Sequence, residues 1–225
     1  MRQPLAPVPD GPPLSLPRRL ALLEFARRHN AVILEDGYDS EFSRAARPLP
    51  ALQTLDRERQ RVLYVGTFSK SLYPGLRLGF LVAPPWIRPA LNAARQLADW
   101  HGEPAQQDTL TAFIAEGHLA RHVKRMRGLY AERHRALVAA LAQHLGPHSA
   151  VIPGEGGLHT TALLRSRRPL PALVAAAAED GLRIETIARF AAAPREAPQG
   201  LVFGLGGVAA EQMDAAIALL ARHLG

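Results

Sequence analysis

Thr67, Ser69, Lys70 and Arg77 stand close together in Gly66-Thr-Phe-Ser-Lys-Ser-Leu-Tyr-Pro-Gly-Leu-Arg-Leu-Gly-Phe80. The stretch joins the apolar run Val62–Val65 to a second one, Leu78–Val82. A strand that ends in small hydroxylic residues offers hydroxyls and backbone N–H groups to an anion. Lys70 follows them and Arg77 lies seven residues on, so the loop has the groups to hold a phosphate monoester beside an amine. Lys70 is unusual in this composition: of 27 lysines and arginines, only Lys70 and Lys124 are lysines. An arginine cannot condense with a carbonyl, whereas a desolvated lysine amine can. The plainer alternative is a surface lysine in a turn.

The same stretch resembles the lysine motif of fold type I pyridoxal-phosphate enzymes, and in particular the aminotransferase-like domain of MocR/GabR-type bacterial regulators. Val32-Ile-Leu-Glu-Asp-Gly-Tyr-Asp-Ser-Glu-Phe42 and Arg47-Pro-Leu-Pro-Ala-Leu-Gln53 extend the resemblance upstream. It is dense from about Leu14 to Leu145 and looser beyond. The resemblance implies pyridoxal 5'-phosphate as cofactor and Lys70 as the Schiff-base, catalytic lysine. It further implies that Asp36 pairs with the pyridine nitrogen, that Tyr38 donates to the ring O3′, and that Thr67, Ser69 and Arg77 hold the phosphate. A carboxylate that keeps the pyridine protonated makes the ring an electron sink. Gly37 departs from the pattern, standing where the family usually has a second acid. Downstream, Gly156-Gly-Leu-His159 resembles an element of the family's small domain, and Arg189-Phe190 its carboxylate-binding arginine, with a gap in the local match. A guanidinium fork suits an amino-acid carboxylate.

These residues need elements to position them. Residues 1–17 form a proline-rich extended lead-in (Pro4, Pro7, Pro9, Pro12, Pro13, Pro17), so regular structure starts near Leu16. Ser15 is placed to cap a helix with Pro17 in its first turn. A buried strand follows at Ala31–Leu34, with Glu35-Asp36-Gly37-Tyr38 at its carboxyl end, where open α/β sheets gather ligands. Asp36 and Lys70 are 34 residues apart, at the ends of two strands that are candidates for neighbours. Pro48 and Pro50 exclude a long helix in 43–60. Helices are expected from Trp86 to about Ala98 and over Gln106–Glu116, with a break at Trp100-His101-Gly102. One long amphipathic helix is expected over His118–Leu145, with Leu119, Val123, Met126, Tyr130, Leu137, Leu141 and Leu145 as its apolar stripe. Beyond Gly146-Pro147, strands are expected at Leu158–Leu164, Leu182–Ile184 and Leu201–Leu205, and helices at Leu170–Glu179 and Glu211–Leu224. The clusters Gly154–Gly157 and Gly204–Gly207 lack the spacing of a dinucleotide fingerprint and read as turns.

The fold expected is α/β: the carboxyl-terminal part of a fold type I large domain, with a mixed, mostly parallel sheet, followed by a small α/β domain. The division is residues 18–117 for the partial cofactor domain and 118–225 for the linking helix and small domain. With 225 residues and 48% hydrophobic composition, the chain has material for a sizeable core. The absence of cysteine excludes disulfides, thiolate nucleophiles and cysteine-ligated zinc. No metal site is expected, and no apolar run reaches the ~20 residues of a membrane span. With no signal peptide visible, the expected location is the cytoplasm. The net charge of +7 invites a nucleic-acid reading, but the arginines are scattered and aromatics are sparse.

The family's Gly-rich phosphate loop, its ring-stacking aromatic and its preceding winged-helix domain have no counterpart here, so the chain resembles the carboxyl-terminal part of a longer protein. Three functions follow as expectations. One is an effector-sensing, pyridoxal-phosphate-binding domain of a transcriptional regulator, contacting DNA only through a winged-helix domain outside this chain. The second is a stand-alone amino-acid aminotransferase; the third is a remnant or interaction module without cofactor. The resemblance also implies a homodimer and a small amino compound as ligand. A half sheet exposes edges and apolar faces, from which weak or no cofactor binding by the isolated chain is expected.

Overall fold

The computed structural model describes residues 14–37, 39–44, 50–154 and 157–224; most of the proline-rich lead-in lies outside them. The described residues divide into two units, one of residues 14–41 and 50–124, the other of residues 42–44 and 125–224.

The first unit opens with α1 (Leu16–Arg28), which starts where proline stops being an obstacle: Pro17 occupies the first turn, whose N–H groups have no intrahelical partner anyway. Ser15 is the N-cap residue, but its hydroxyl makes no capping bond. At the other end, the Glu24 carboxylate accepts from Arg27 Nε (2.9 Å) and Arg28 Nε (2.7 Å). These bonds, Arg27 first, hold its carboxyl down at about 2. Then come β1 (Ile33–Gly37), the single-turn α2 (Leu52–Leu55), β2 (Val62–Thr67), the single-turn α3 (Phe68–Ser71) and β3 (Gly79–Val82). Helices α4 (Arg88–Asp99) and α5 (Pro104–Ala115) follow. Trp100 sits at a φ of 61° in the break between them.

The three strands form one mixed sheet in the order β1-β2-β3. β1 and β2 are parallel, in register from Ile33↔Val62 to Gly37↔Gly66; β2 and β3 are antiparallel, from Tyr64↔Val82 to Thr67↔Gly79. β1 begins two residues later than the sequence suggests and continues through Glu35 and Asp36. The reason is Glu35, which is not a turn acid. It is 2% exposed, and its carboxylate accepts the backbone N–H groups of Leu52 (2.7 Å) and Gln53 (2.8 Å). Those are orphan donors of the first turn of α2. Arg19 Nη2 lies 3.6 Å from the same carboxylate, and Arg19 also donates to the carbonyl of Pro50. A strand can therefore carry an acid inward because donors await it.

Helix α6 (His118–Leu145) has the span expected from its periodicity. The second unit holds its greater part, followed by β4 (Ser149–Val151), β5 (His159–Leu164), α7 (Leu170–Glu179), β6 (Glu185–Thr186), β7 (Gly200–Gly204) and α8 (Met213–Arg222). The sheet order is β4-β5-β7-β6, with every pairing antiparallel. Leu141 of α6, Leu173 of α7, Leu201 of β7 and Leu220 of α8 are wholly buried in one apolar cluster. Two strands depart from expectation. β4 pairs with the far edge of β5 through a segment with no alternating pattern, and the strand sought at Leu182–Ile184 forms at Glu185–Thr186. There Gly181, at a φ of 84°, turns the chain out of α7, and Ile184 is spent in the core rather than in the ladder.

Candidate functional site

Residues opposite one another in a ladder point to the same side of the sheet. The register therefore puts Ile33, Glu35, Gly37, Val62, Tyr64, Gly66, Phe80 and Val82 on one face, and Leu34, Asp36, Leu63, Val65, Thr67 and Leu81 on the other. Asp36 pairs with Val65, two residues before Thr67 on the same face and at the carboxyl end of the two parallel strands. Asp36 is exposed, and so is Lys70 in the helical turn that begins directly after Thr67. Neither is turned into a dry interior.

Thr67 organises that turn. It is the N-cap of α3, and its Oγ1 accepts the N–H of Ser69 at 3.1 Å. The Phe68 N–H donates to the Leu78 carbonyl at 3.0 Å, which ties the start of the loop to its end. Arg77 closes the loop at a φ of 52°, in the left-handed region that disfavours residues with a Cβ. A side chain kept at such a position points to a use for it. Among the described residues, the side chains of Asp36, Lys70 and Arg77 make no hydrogen bond or ion pair, so a carboxylate and two cations stand available beside two hydroxyls.

The opposite face explains the glycine at 37. Tyr64 is half-buried, its hydroxyl 3.4 Å from both the Gly37 carbonyl and Ser40 Oγ. A Cβ on Gly37 would lie 2.1 Å from that hydroxyl oxygen, so the ring of Tyr64 fills the place a side chain at 37 needs. Burial, above the other causes, raises the Tyr64 phenol above its usual range. Across Gly66, the Phe80 ring occupies the matching space. Sequence reasoning missed Tyr64 and Glu35; the one available signal was the pair of glycines, 37 and 66, each two residues beyond an acid or aromatic on the same face.

Tyr38 lies outside the described residues. Arg189 sits in the second unit, in the helical turn Ile187–Phe190, exposed and ion-paired with Glu185 four residues earlier. Its fork already has one carboxylate partner. Elsewhere in that unit His134 Nδ1 is 2.8 Å from Thr160 Oγ1. Burial, and secondarily the charge of Arg44, lowers the His134 pKa. The described residues hold no cluster of side chains suited to a metal ion, and none of their helices is long and apolar enough to cross a membrane.

The family model for aminotransferase class I and II matches residues 8–214. Over 201 residues the chain is 36% identical to the probable rhizopine catabolism regulatory protein MocR of Rhizobium meliloti, a match spanning 89% of this chain and 40% of that protein. It is 33% identical to the HTH-type pyridoxine biosynthesis transcriptional regulator PdxR of Corynebacterium glutamicum, over 88% of this chain and 42% of the relative. Among solved structures, it superposes with a TM-score of 0.81 and 27% identity on LysN, the α-aminoadipate aminotransferase of Thermus thermophilus complexed with N-(5'-phosphopyridoxyl)-L-leucine. That superposition covers 93% of this chain and 54% of the enzyme. The chain thus spans less than half of the two regulators and about half of the enzyme.

Proposed function

This chain belongs to the aminotransferase class I and II family, and from that premise we propose that it is the pyridoxal-phosphate-binding part of a MocR/GabR-type regulator, used to sense a small amino compound. The observation that carries the reading is the shared sheet face of Asp36 and Thr67, with Lys70 in the turn that Thr67 caps. The donor set suits the group: an unpaired acid for a pyridinium, an unpaired arginine and two hydroxyls for a phosphate, and an unpaired amine in the turn that Thr67 caps. In this assignment Asp36 and Tyr38 hold the ring, Thr67, Ser69 and Arg77 hold the phosphate, and Lys70 is the attachment point. Bound there, pyridoxal phosphate supplies an electron sink that acidifies the α-carbon of an amino compound.

The chain's own residues have simpler tasks. Asp36 keeps a proton on the ring nitrogen by charge pairing. Arg77 binds phosphate oxygens bidentately. The Lys70 amine, once free, takes the α-proton. Arg189 receives the ligand's carboxylate, exchanging Glu185 for it. DNA contact belongs to a separate domain, and a homodimer in the cytoplasm is the working assembly. A second reading, a stand-alone amino-acid aminotransferase, is favoured by the fold shared with LysN. A cofactor-free remnant remains the third.

The lysine-poor composition makes the test clean, because Lys70 and Lys124 are the only side-chain amines. The chain is incubated with pyridoxal phosphate, reduced with borohydride, digested and mapped by mass spectrometry, which registers weak binding as well as strong. Label concentrated on Lys70, and reduced by Asp36→Ala and Arg77→Ala, supports the assignment. Equal labelling of Lys70, Lys124 and the amino terminus, indifferent to those substitutions, refutes it. Transamination of amino acids by the unreduced chain would select the enzyme reading over the sensor.

A further inference from the structure

The second unit hides its apolar side chains well. Of the fifteen large apolar side chains exposed among the described residues, thirteen lie in the first unit, Phe80, Leu81 and Val82 of β3 among them. The second unit exposes only Leu163 and Phe190. Leu163, on β5, is 38% exposed and lines a cleft of about 340 Å³ whose walls all belong to the second unit. Clefts that hold small molecules typically run from about 300 to 1,000 Å³. This one is shaped by main-chain bonds rather than by loose side chains. The Arg165 N–H donates to the His148 carbonyl at 2.8 Å, and the Leu164 N–H to the Gln199 carbonyl at 3.0 Å. β4 adds Ser149 and Ala150 through the pairs Ser149↔Leu164 and Ala150↔Leu163. Pro147 and Pro198, each with its φ fixed by the ring, are further walls.

The polar groups of the cleft call for an anion. Arg165 and His148 line it and no acid does. Both are exposed, and among the described residues neither side chain makes a hydrogen bond or ion pair. From Gly146 to Leu170 the sequence carries Arg165, Arg167 and Arg168 against one acid, Glu155, a local excess that concentrates anions. Beside the guanidinium lies an apolar floor: Ala150 and Leu163 are opposite one another in the ladder, so they share a face, and both are exposed. We propose that this cleft binds a small organic monocarboxylate with a short apolar body. Arg165 takes the carboxylate through its planar fork, and the body lies against Leu163 and Ala150. An exposed ion pair alone is worth little, so head and body must act together. With no acid to receive an ammonium beside Arg165, a plain carboxylate is preferred to an α-amino acid. The cleft shares no residue with the lysine loop or with Arg189, and the inference is independent of the cofactor assignment.

The test follows the backbone amide NMR signals of the full 225-residue chain during titration with hexanoate. Saturable shifts are expected at residues 148–150, 163–165 and 199. Acetate lacks the body, hexanamide lacks the charge and norleucine adds an ammonium; each is expected to bind at least tenfold more weakly. Arg165→Gln, at an exposed position with no partner in the fold, is expected to weaken hexanoate at least tenfold and to leave the circular dichroism unchanged. Leu163→Glu is expected to abolish binding. The double variant Arg167→Gln, Arg168→Gln removes more charge from the same loop and is expected to change the affinity less than threefold. Absence of a saturable shift overturns the proposal, as do shifts centred elsewhere or binding of acetate, hexanamide or norleucine as tight as that of hexanoate. So does an equal loss in Arg165→Gln and in the double variant, which would make the site a property of bulk charge. Lys70→Ala is carried in parallel: it abolishes cofactor labelling and leaves hexanoate binding intact, so the two readings fail separately.

Discussion

Glu35→Gln keeps the size and shape of a side chain while removing the charge on which the first unit is assembled. In the native chain two backbone N–H groups of α2 point at the Glu35 oxygens, at 2.7 and 2.8 Å, and Arg19 lies beside them at 3.6 Å. A glutamine presents one oxygen and one NH₂, so one N–H of Leu52 or Gln53 faces a donor instead of an acceptor. Hydrogen bonds to a charged group are worth about 1.5–3 kcal/mol. The substitution also strands Arg19, only 5% exposed; removing one member of a buried pair costs about 3–5 kcal/mol. Because Arg19 keeps its bond to the Pro50 carbonyl, the lower end of that range applies, and the two costs overlap. The expected loss is about 3 kcal/mol, equivalent to roughly 100-fold faster opening of β1. The assay is native-state amide hydrogen exchange at residues 33–37 and 62–66, since local opening of the first unit is the quantity sought. Adding Arg19→Met to Glu35→Gln is expected to recover about 1 kcal/mol, because the stranded charge goes with it. Exchange of the single variant within threefold of wild type would refute the reasoning, and so would a double variant less stable than the single one.

Two further outcomes follow from the geometry. Gly37→Ala brings a Cβ to 2.1 Å from the Tyr64 hydroxyl oxygen, and such overpacking costs about 1–3 kcal/mol. The loss, read in thermal unfolding, is expected to shrink when Tyr64→Leu is added; equal losses with and without the tyrosine would show that the ring is not the obstacle. His134, hydrogen-bonded to Thr160 and facing the charge of Arg44, has a folded pKa below its unfolded value of 6.5. As pH falls through 6.5 the unfolded chain takes up a proton that the folded one resists, so stability declines from there down to the lowered folded pKa. Urea midpoints measured between pH 7.5 and 5.5 (roughly one unit either side of the reference histidine pKa) are expected to fall in wild type and to flatten in His134→Gln. A parallel decline in both would remove His134 as the cause.

The residues along the chain dictate a good deal of this protein unaided. The 28-residue helix α6 was legible because its apolar residues recur with helical spacing over eight turns, a pattern no strand can use. The start of α1 was legible from Ser15 and Pro17, since proline fits only where no N–H is needed. The strand–turn–strand around Lys70 was legible from two apolar runs parted by hydroxyls and a Pro-Gly pair. Family membership was written in the same local motifs, because groups that act on one ligand must recur at fixed spacings. What needed the folded chain were facts that depend on partners distant in sequence. Glu35 is a buried anchor only because α2 and Arg19 converge on it. Gly37 is glycine because Tyr64, 27 residues away, stands where its side chain would be. The ladder alone sets Asp36 on the face of Thr67, since a shift of one residue would send it to the face of Tyr64. The open apolar surface around β3 is likewise invisible in a sequence whose overall composition is that of a well-buried protein. Hydrophobic content is a property of the chain, but burial is a property of what surrounds it.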